Sequence, residues 1–112
     1  MANKQERIAS LIQKNITDII MFELKNPIMR LVSVNSCDVN HDFSLAKVYV
    51  SHLDQRKIEE AVKALNDAKG FVRSALARKM DTYKVPELVF IKDDTYDKAQ
   101  RIEDIIQDLK NK

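Results

Sequence analysis

The spacing of the hydrophobic residues first changes near residue 31, and that change confines the chain to folds that combine helices with strands. Ile8, Leu11, Ile12, Ile16, Ile19, Ile20 and Leu24 recur at i, i+3, i+4 and i+7, which lays one apolar stripe along a helix. From Leu31 the period drops to two. Val32 and Val34 alternate with Ser33 and Asn35, then Ala46, Val48 and Val50 alternate with Lys47, Tyr49 and Ser51, as expected of two strands with one buried face each. The helix is expected to stop at Lys25-Asn26, because Pro27 biases the residue before it away from the helical region and has no amide to donate. Asn40-His41-Asp42 tolerates turn geometry, so an antiparallel hairpin is the simplest link between the strands.

Helical spacing then returns. Asp54 is a candidate N-cap, and Ile58, Ala61, Val62, Leu65 and Ala68 lead to Val72, Ala75, Leu76 and Met80. Inside this run stands Gly70, the only glycine of the 112 residues. It costs about 1 kcal/mol relative to alanine in a helix. The apolar face shifts by only roughly 30° across it, at 100° per residue. An unbroken helix would nevertheless turn Phe71 off that face and bring Lys79 towards its centre, which points to an interruption. After Pro86 the run Leu88-Val89-Phe90-Ile91 predicts a strand, and Asp93, Asp94 and Thr95 offer capping groups for a last helix that faces Ala99, Ile102, Ile105, Ile106 and Leu109 inward. The expected architecture is α+β, a single domain over residues 1–112 in which helices cover one face of a three-stranded sheet.

Several functional classes are disfavoured at this level. Phosphate-cradling loops need several glycines, and there is one. Cys37, His41 and His52 are the only soft ligands, with no CxxC or HExxH spacing, so neither a metal nor another cofactor is expected. Cys37 reads better as a small strand residue, and His41 as an exposed turn residue, than as a nucleophile with its base. No catalytic residue is assigned. A lone cysteine, no signal-like apolar run in MANKQERIAS and no stretch of about 18 apolar residues lead to the expectation of a cytoplasmic protein without a membrane contact.

The net charge of +2 identifies no partner, but its distribution is uneven. Residues 1–55 balance at six basic against six acidic, residues 56–84 carry eight against four, and residues 85–112 carry five against seven. The basic excess surrounds the glycine.

Several stretches, in their order and spacing, resemble the ribosome-binding factor A family. They are Arg7-Ile8-Ala9, Glu23-Leu24-Lys25-Asn26-Pro27, DFSLAKVYVS from Asp42 to Ser51, Ala68-Lys69-Gly70-Phe71-Val72-Arg73 with Leu76, and Pro86-Glu87-Leu88-Val89-Phe90 followed by Asp93 and Asp94. The resemblance implies a type II KH-like domain with the order α-β-β-α-(kink)-α-β-α. KH domains commonly use a GxxG loop against the nucleic-acid backbone. Ala68-Lys69-Gly70 instead matches the Ala-x-Gly interruption of this family, which makes Ala68 and Gly70 the expected kink. One departure is Asn26-Pro27-Ile28, where the family usually has Asp-Pro-Arg; the nearest arginine here is Arg30. The asparagine oxygen can still bond nearby backbone amides in the turn.

The resemblance further implies a non-enzymatic assembly factor for the immature small ribosomal subunit, one that assists maturation of the 16S ribosomal RNA end and is needed most in the cold. The expected partners are that subunit and its RNA, with ribosomal proteins as further contacts and the factor itself a monomer. Affinity for RNA would come from cations meeting phosphates. The candidates are Lys69, Arg73, Arg78 and Lys79 around the kink, Lys63 and Lys84 flanking it, and Arg7 from the first helix. Phe71 could stack on a base, although a core position is the more ordinary expectation for an aromatic. The competing reading is a protein-interaction adaptor that touches no RNA.

Overall fold

A computed structural model describes residues 3–80 and 84–94. Helix α1, Lys4–Phe22, starts on Asn3, whose side chain accepts the Glu6 amide, and it buries Ile8, Ile12, Ile16, Ile19 and Ile20. It ends about three residues earlier than the proline alone suggests. The amides of both Glu23 and Leu24 bond back to Ile19 O, at 2.8 and 3.1 Å, which closes the last turn and leaves Leu24 packed against the core. Asn26 then caps a short 3-10 turn over Pro27–Leu31, accepting the Ile28 amide at 3.2 Å, the turn role expected of Asn26-Pro27. Met29 of this turn is buried.

Strands β1, Val32–Val39, and β2, Leu45–His52, form the expected antiparallel hairpin. The register slips between Val34 and Ser36, so Asn35 is an extra residue. That bulge inverts the alternation: Val32 and Val34 point to the helices before it, Cys37 and Val39 after it. The chain next runs through a 3-10 turn, Gln55–Lys57, capped by Asp54, into α2, Ile58–Asp67. After a break come α3, Lys69–Lys79, and then β3, Glu87–Lys92, which pairs parallel to β2. The sheet order is β1-β2-β3, so the parallel partner reached through two helices lies at an edge. Leu88 and Phe90 are buried while Val89 and Ile91 are half-buried, because one face of the strand meets the helices.

The core lies between that face and the helices. Ala46, Val48 and Val50 of β2 meet the isoleucines of α1, Leu65 of α2, and Val72 and Leu76 of α3 in one cluster. α1 packs on β1 and α3, and α2 packs on β3 and β2. Both edges of the sheet are partly covered by amide side chains from the helices. Gln13 donates to the carbonyls of Val34 and Asn35 at the bulge, and Gln5 to that of Val39. On the opposite edge the Asn66 amide spans Phe90, donating to its carbonyl and accepting its N–H, both at 2.9 Å. These bonds satisfy backbone groups that would otherwise be free to pair with another chain. The expected last helix, with its capping residue Thr95, lies outside the described residues.

Candidate nucleic-acid interface

The break between α2 and α3 is built at Ala68. Its amide still bonds back to Ala64 and Leu65 at 3.1 Å, but its own backbone sits at φ −95°, ψ 5°, outside the helical basin. Its carbonyl then accepts the Val72 amide at 3.0 Å and opens α3. Asn66, bound to the β3 edge, anchors the last turn of α2, and the break lets the following helix leave that position and pack on α1. The interruption expected within Ala68-Lys69-Gly70 is therefore present, with the departure from helical geometry on Ala68. Gly70 is the second residue of α3, has no positive φ, and an added Cβ there would meet nothing within 4 Å. The bend does not need glycine.

Nothing caps the start of α3: Ala68 has no side-chain oxygen, and the first turn holds no acidic residue. The start of α3, beside Lys69 and Gly70, therefore keeps its positive dipole end without a side-chain acceptor or carboxylate of its own. Helix N-termini of this kind suit anions. A groove of about 700 Å³ runs along this flank, lined by Gly70, Arg73, Ser74, Ala77, Met80, Lys84 and Val85. Arg73 crosses it, donating from Nη2 to Val85 O at 3.2 Å, which fixes one edge of the guanidinium and leaves its other donors available. Lys69 stands one turn before Arg73 on the same side of α3. Lys84 lies across the groove and near enough to Asp42 to help lower the pKa of that carboxylate.

The seven candidate cations do not form one patch. Arg73 and Lys84 line the groove, and Lys69 stands one helical turn before Arg73. Arg78 and Lys79 sit at the other end of α3, where Arg78 Nη2 lies 3.7 Å from Glu23 Oε1 and Lys79 Nζ 3.8 Å from Glu23 Oε2. One carboxylate thus offsets part of their charge. Lys63 is exposed on the outer face of α2, four residues after Glu59 and four before Asp67, the spacing that puts opposite charges on one helix face. Arg7 lies near the start of α1, about 24 Å along the helix from Glu23 at 1.5 Å per residue. Glu23 carries part of the family resemblance at the end of the first helix, but nothing in the one-dimensional spacing marks it as the partner of Arg78 and Lys79.

Phe71 departs from the core position expected of it: its residue surface is 50% exposed. The buried face of α3 falls on Val72, Ala75 and Leu76, and Phe71 is left on the rim, off the apolar face as helical phase alone places it. Tyr83 and Tyr96, the other aromatics near the two ends of the β3 segment in sequence, lie outside the described residues.

The soft ligands remain apart from this region. Cys37 faces the helices, and burial, assisted by Asp38, pushes its thiol up to about 12, so it is a poor nucleophile. His52 is buried, with Nδ1 accepting the Asp54 amide and Nε2 within 2.9 Å of Ile28 O; this pairing places the proton on Nε2 and makes the ring a structural link. Among the described residues no three His, Cys, Asp or Glu side chains gather as a metal site, and no helix is long and apolar enough to cross a membrane. The groove offers two cations, Arg73 and Lys84, groups suited to holding phosphate.

Comparison with known proteins supplies the family. The family model described as ribosome-binding factor A matches residues 4–106. Ribosome-binding factor A of Staphylococcus carnosus is 36% identical over 110 residues, covering 97% of this chain and 96% of that protein. The Saccharophagus degradans protein of the same name is 37% identical over 106 residues, covering 92% and 83%. The crystal structure of ribosome-binding factor A from Thermus thermophilus superposes with a TM-score of 0.71 at 24% identity, covering 80% of this chain and 97% of that one, which supports the fold. A second Thermus thermophilus ribosome binding factor A, a homology model fitted into the cryo-EM map of its 30S complex, gives a TM-score of 0.67 at 26% identity, covering 80% and 94%. With a family match across nearly its whole length and a fold shared with a solved member, this chain belongs to the ribosome-binding factor A family.

Proposed function

We propose that the protein is a non-enzymatic assembly factor that binds the immature small ribosomal subunit through its RNA and assists maturation of the 16S ribosomal RNA end, above all in the cold. The observation that carries this reading is the pairing of Arg73 and Lys84 on one groove, with Lys69 one turn before Arg73 at the start of α3, in a chain of this family. The mechanism is a shift of populations. A protein that binds one RNA conformer better than its competitor favours that conformer without making or breaking a covalent bond. Lys69, Arg73 and Lys84 provide the principal phosphate contacts, while Arg78, Lys79, Lys63 and Arg7 act more weakly because they are charge-compensated or distant. The protein works as a cytoplasmic monomer, and ribosomal proteins supply secondary contacts.

Co-sedimentation of the purified protein with isolated small subunits, mature and precursor, at two salt concentrations tests this. RNA binding predicts a steep fall with salt and loss on Lys69→Glu, an exposed position in which no backbone carbonyl or nearby carboxylate is engaged. Lys79→Glu is a less direct probe, because it would set two carboxylates against each other at Glu23. Absence of binding to both kinds of particle would overturn the proposal. The adaptor reading draws on Met21, Phe22 and Leu53, which are exposed apolar side chains away from the groove; it predicts binding that hardly depends on salt.

A further inference from the structure

We propose that α3 receives an unpaired nucleotide whose base stacks on Phe71 while its flanking phosphates meet the cations of the same helix; the ligand class is single-stranded RNA rather than duplex. This rests on the RNA-binding reading above and assigns it a base contact. Phe71 is half exposed and directly follows Gly70, which adds no side chain of its own to that surface. The helix KGFVRSALARK carries Lys69, Arg73, Arg78 and Lys79 and no acidic residue. Ser74 and Arg78, three and seven residues on, share the rim with Phe71 and do not extend it into an apolar patch. Phe22, the other strongly exposed phenylalanine, has Asp18 four residues before it and Glu23 next to it, whereas Phe71, with Asp67 four residues before it, has Lys69 and Arg73 two residues to either side.

A single ring among cations fits one base between phosphates better than it fits a protein surface, which would need contiguous apolar area. A duplex offers no free base face, because its bases are stacked on one another.

The full chain is titrated by fluorescence anisotropy with an unstructured strand of alternating cytidine and adenosine, about twelve nucleotides long, and with a blunt RNA duplex. Phe71→Leu keeps the apolar volume and removes the flat face; Phe71→Tyr keeps the face. The expected result is that Phe71→Leu weakens single-strand binding about tenfold, leaves duplex binding and the salt slope unchanged, and is rescued by Phe71→Tyr. Unchanged single-strand binding of Phe71→Leu, with Lys69→Glu still weakened, overturns the stacking contact and spares the RNA-binding reading. Loss of subunit co-sedimentation by Phe71→Leu with unchanged RNA binding also overturns it, in favour of an apolar protein partner. If the wild-type chain binds neither RNA nor the subunit, both readings fall.

Discussion

The turn between β1 and β2 and the junction between α2 and α3 solve opposite problems with opposite residues. The turn contains the only non-glycine residue with positive φ among those described, Phe43 at 59°, and no glycine. The junction holds the only glycine, with no positive φ at all. A left-handed phenylalanine costs roughly 1–2 kcal/mol in backbone strain. The surrounding side chains hold it there: Asn40 Oδ1 accepts the amides of Ser44 and Leu45, Asn40 Nδ2 reaches Ser44 Oγ, and Asp42 Oδ1 accepts both the amide and the hydroxyl of Ser44. The Phe43 ring returns part of the cost by packing on the core, with Lys4 Nζ 5.5 Å from its centroid. At the junction no such network exists, and Gly70 leaves a surface bare. Glycine here shapes an outside, whereas polar side chains shape the inside of a turn.

The largest expected break in this contrast is Asn40→Ala, which removes three bonds from the turn and should cost about 1–2 kcal/mol, read as a lower denaturation midpoint at unchanged slope. Next, Phe43→Gly and Phe43→Ala both lose the ring, but only the first relieves the strain. The glycine variant should be the more stable of the two by about 1 kcal/mol, reversing their usual order. A smaller effect of the opposite sign is expected at the junction. Gly70→Ala should stabilise the protein by about 0.4–1 kcal/mol, because the backbone is already helical and the added methyl meets no atom. Destabilisation there would show that the bend does depend on glycine.

Acid should loosen the turn before the junction. Hydrogen bonds from the Ser44 side chain and backbone hold Asp42 below its ordinary pKa. A depressed carboxylate contributes stability that is present above its unfolded pKa and is lost as the pH falls through its folded one. Amide exchange at Ser44 should therefore rise below the usual carboxylate range while α3 amides keep their protection. The smallest perturbation concerns Cys37. Near pH 8.5, where an ordinary thiol is about half ionised, alkylation of the folded chain should lag far behind that of the unfolded chain, and equal rates would mean that the thiol is not buried as described.

Periodicity was enough to place α1, the hairpin, the helix pair and β3, because each element buries one face and burial repeats at the element's own pitch. The turn chemistry of Asn26-Pro27 was equally legible, a bond within two residues. Asp54, expected to cap the helix from Ile58, caps the 3-10 turn Gln55–Lys57 instead, and α2 starts after Lys57 with no side-chain cap. The bulge at Asn35 was not legible, since it arises from pairing with β2. Nor were the bonds from Gln5, Gln13 and Asn66 to the strand edges, which join residues 21 to 34 apart in the chain.

The same division runs through the site. Sequence by itself determined that α3 is basic and that the helix is interrupted near Gly70, since charge count and helical phase are properties of a linear chain. Only the tertiary structure decided which cations act together. It brought Arg73 and Lys84 to one groove and set Glu23 against Arg78 and Lys79. The physical reason is that electrostatic partnership and exposure depend on distance in space, and the bend at Ala68 sets those distances.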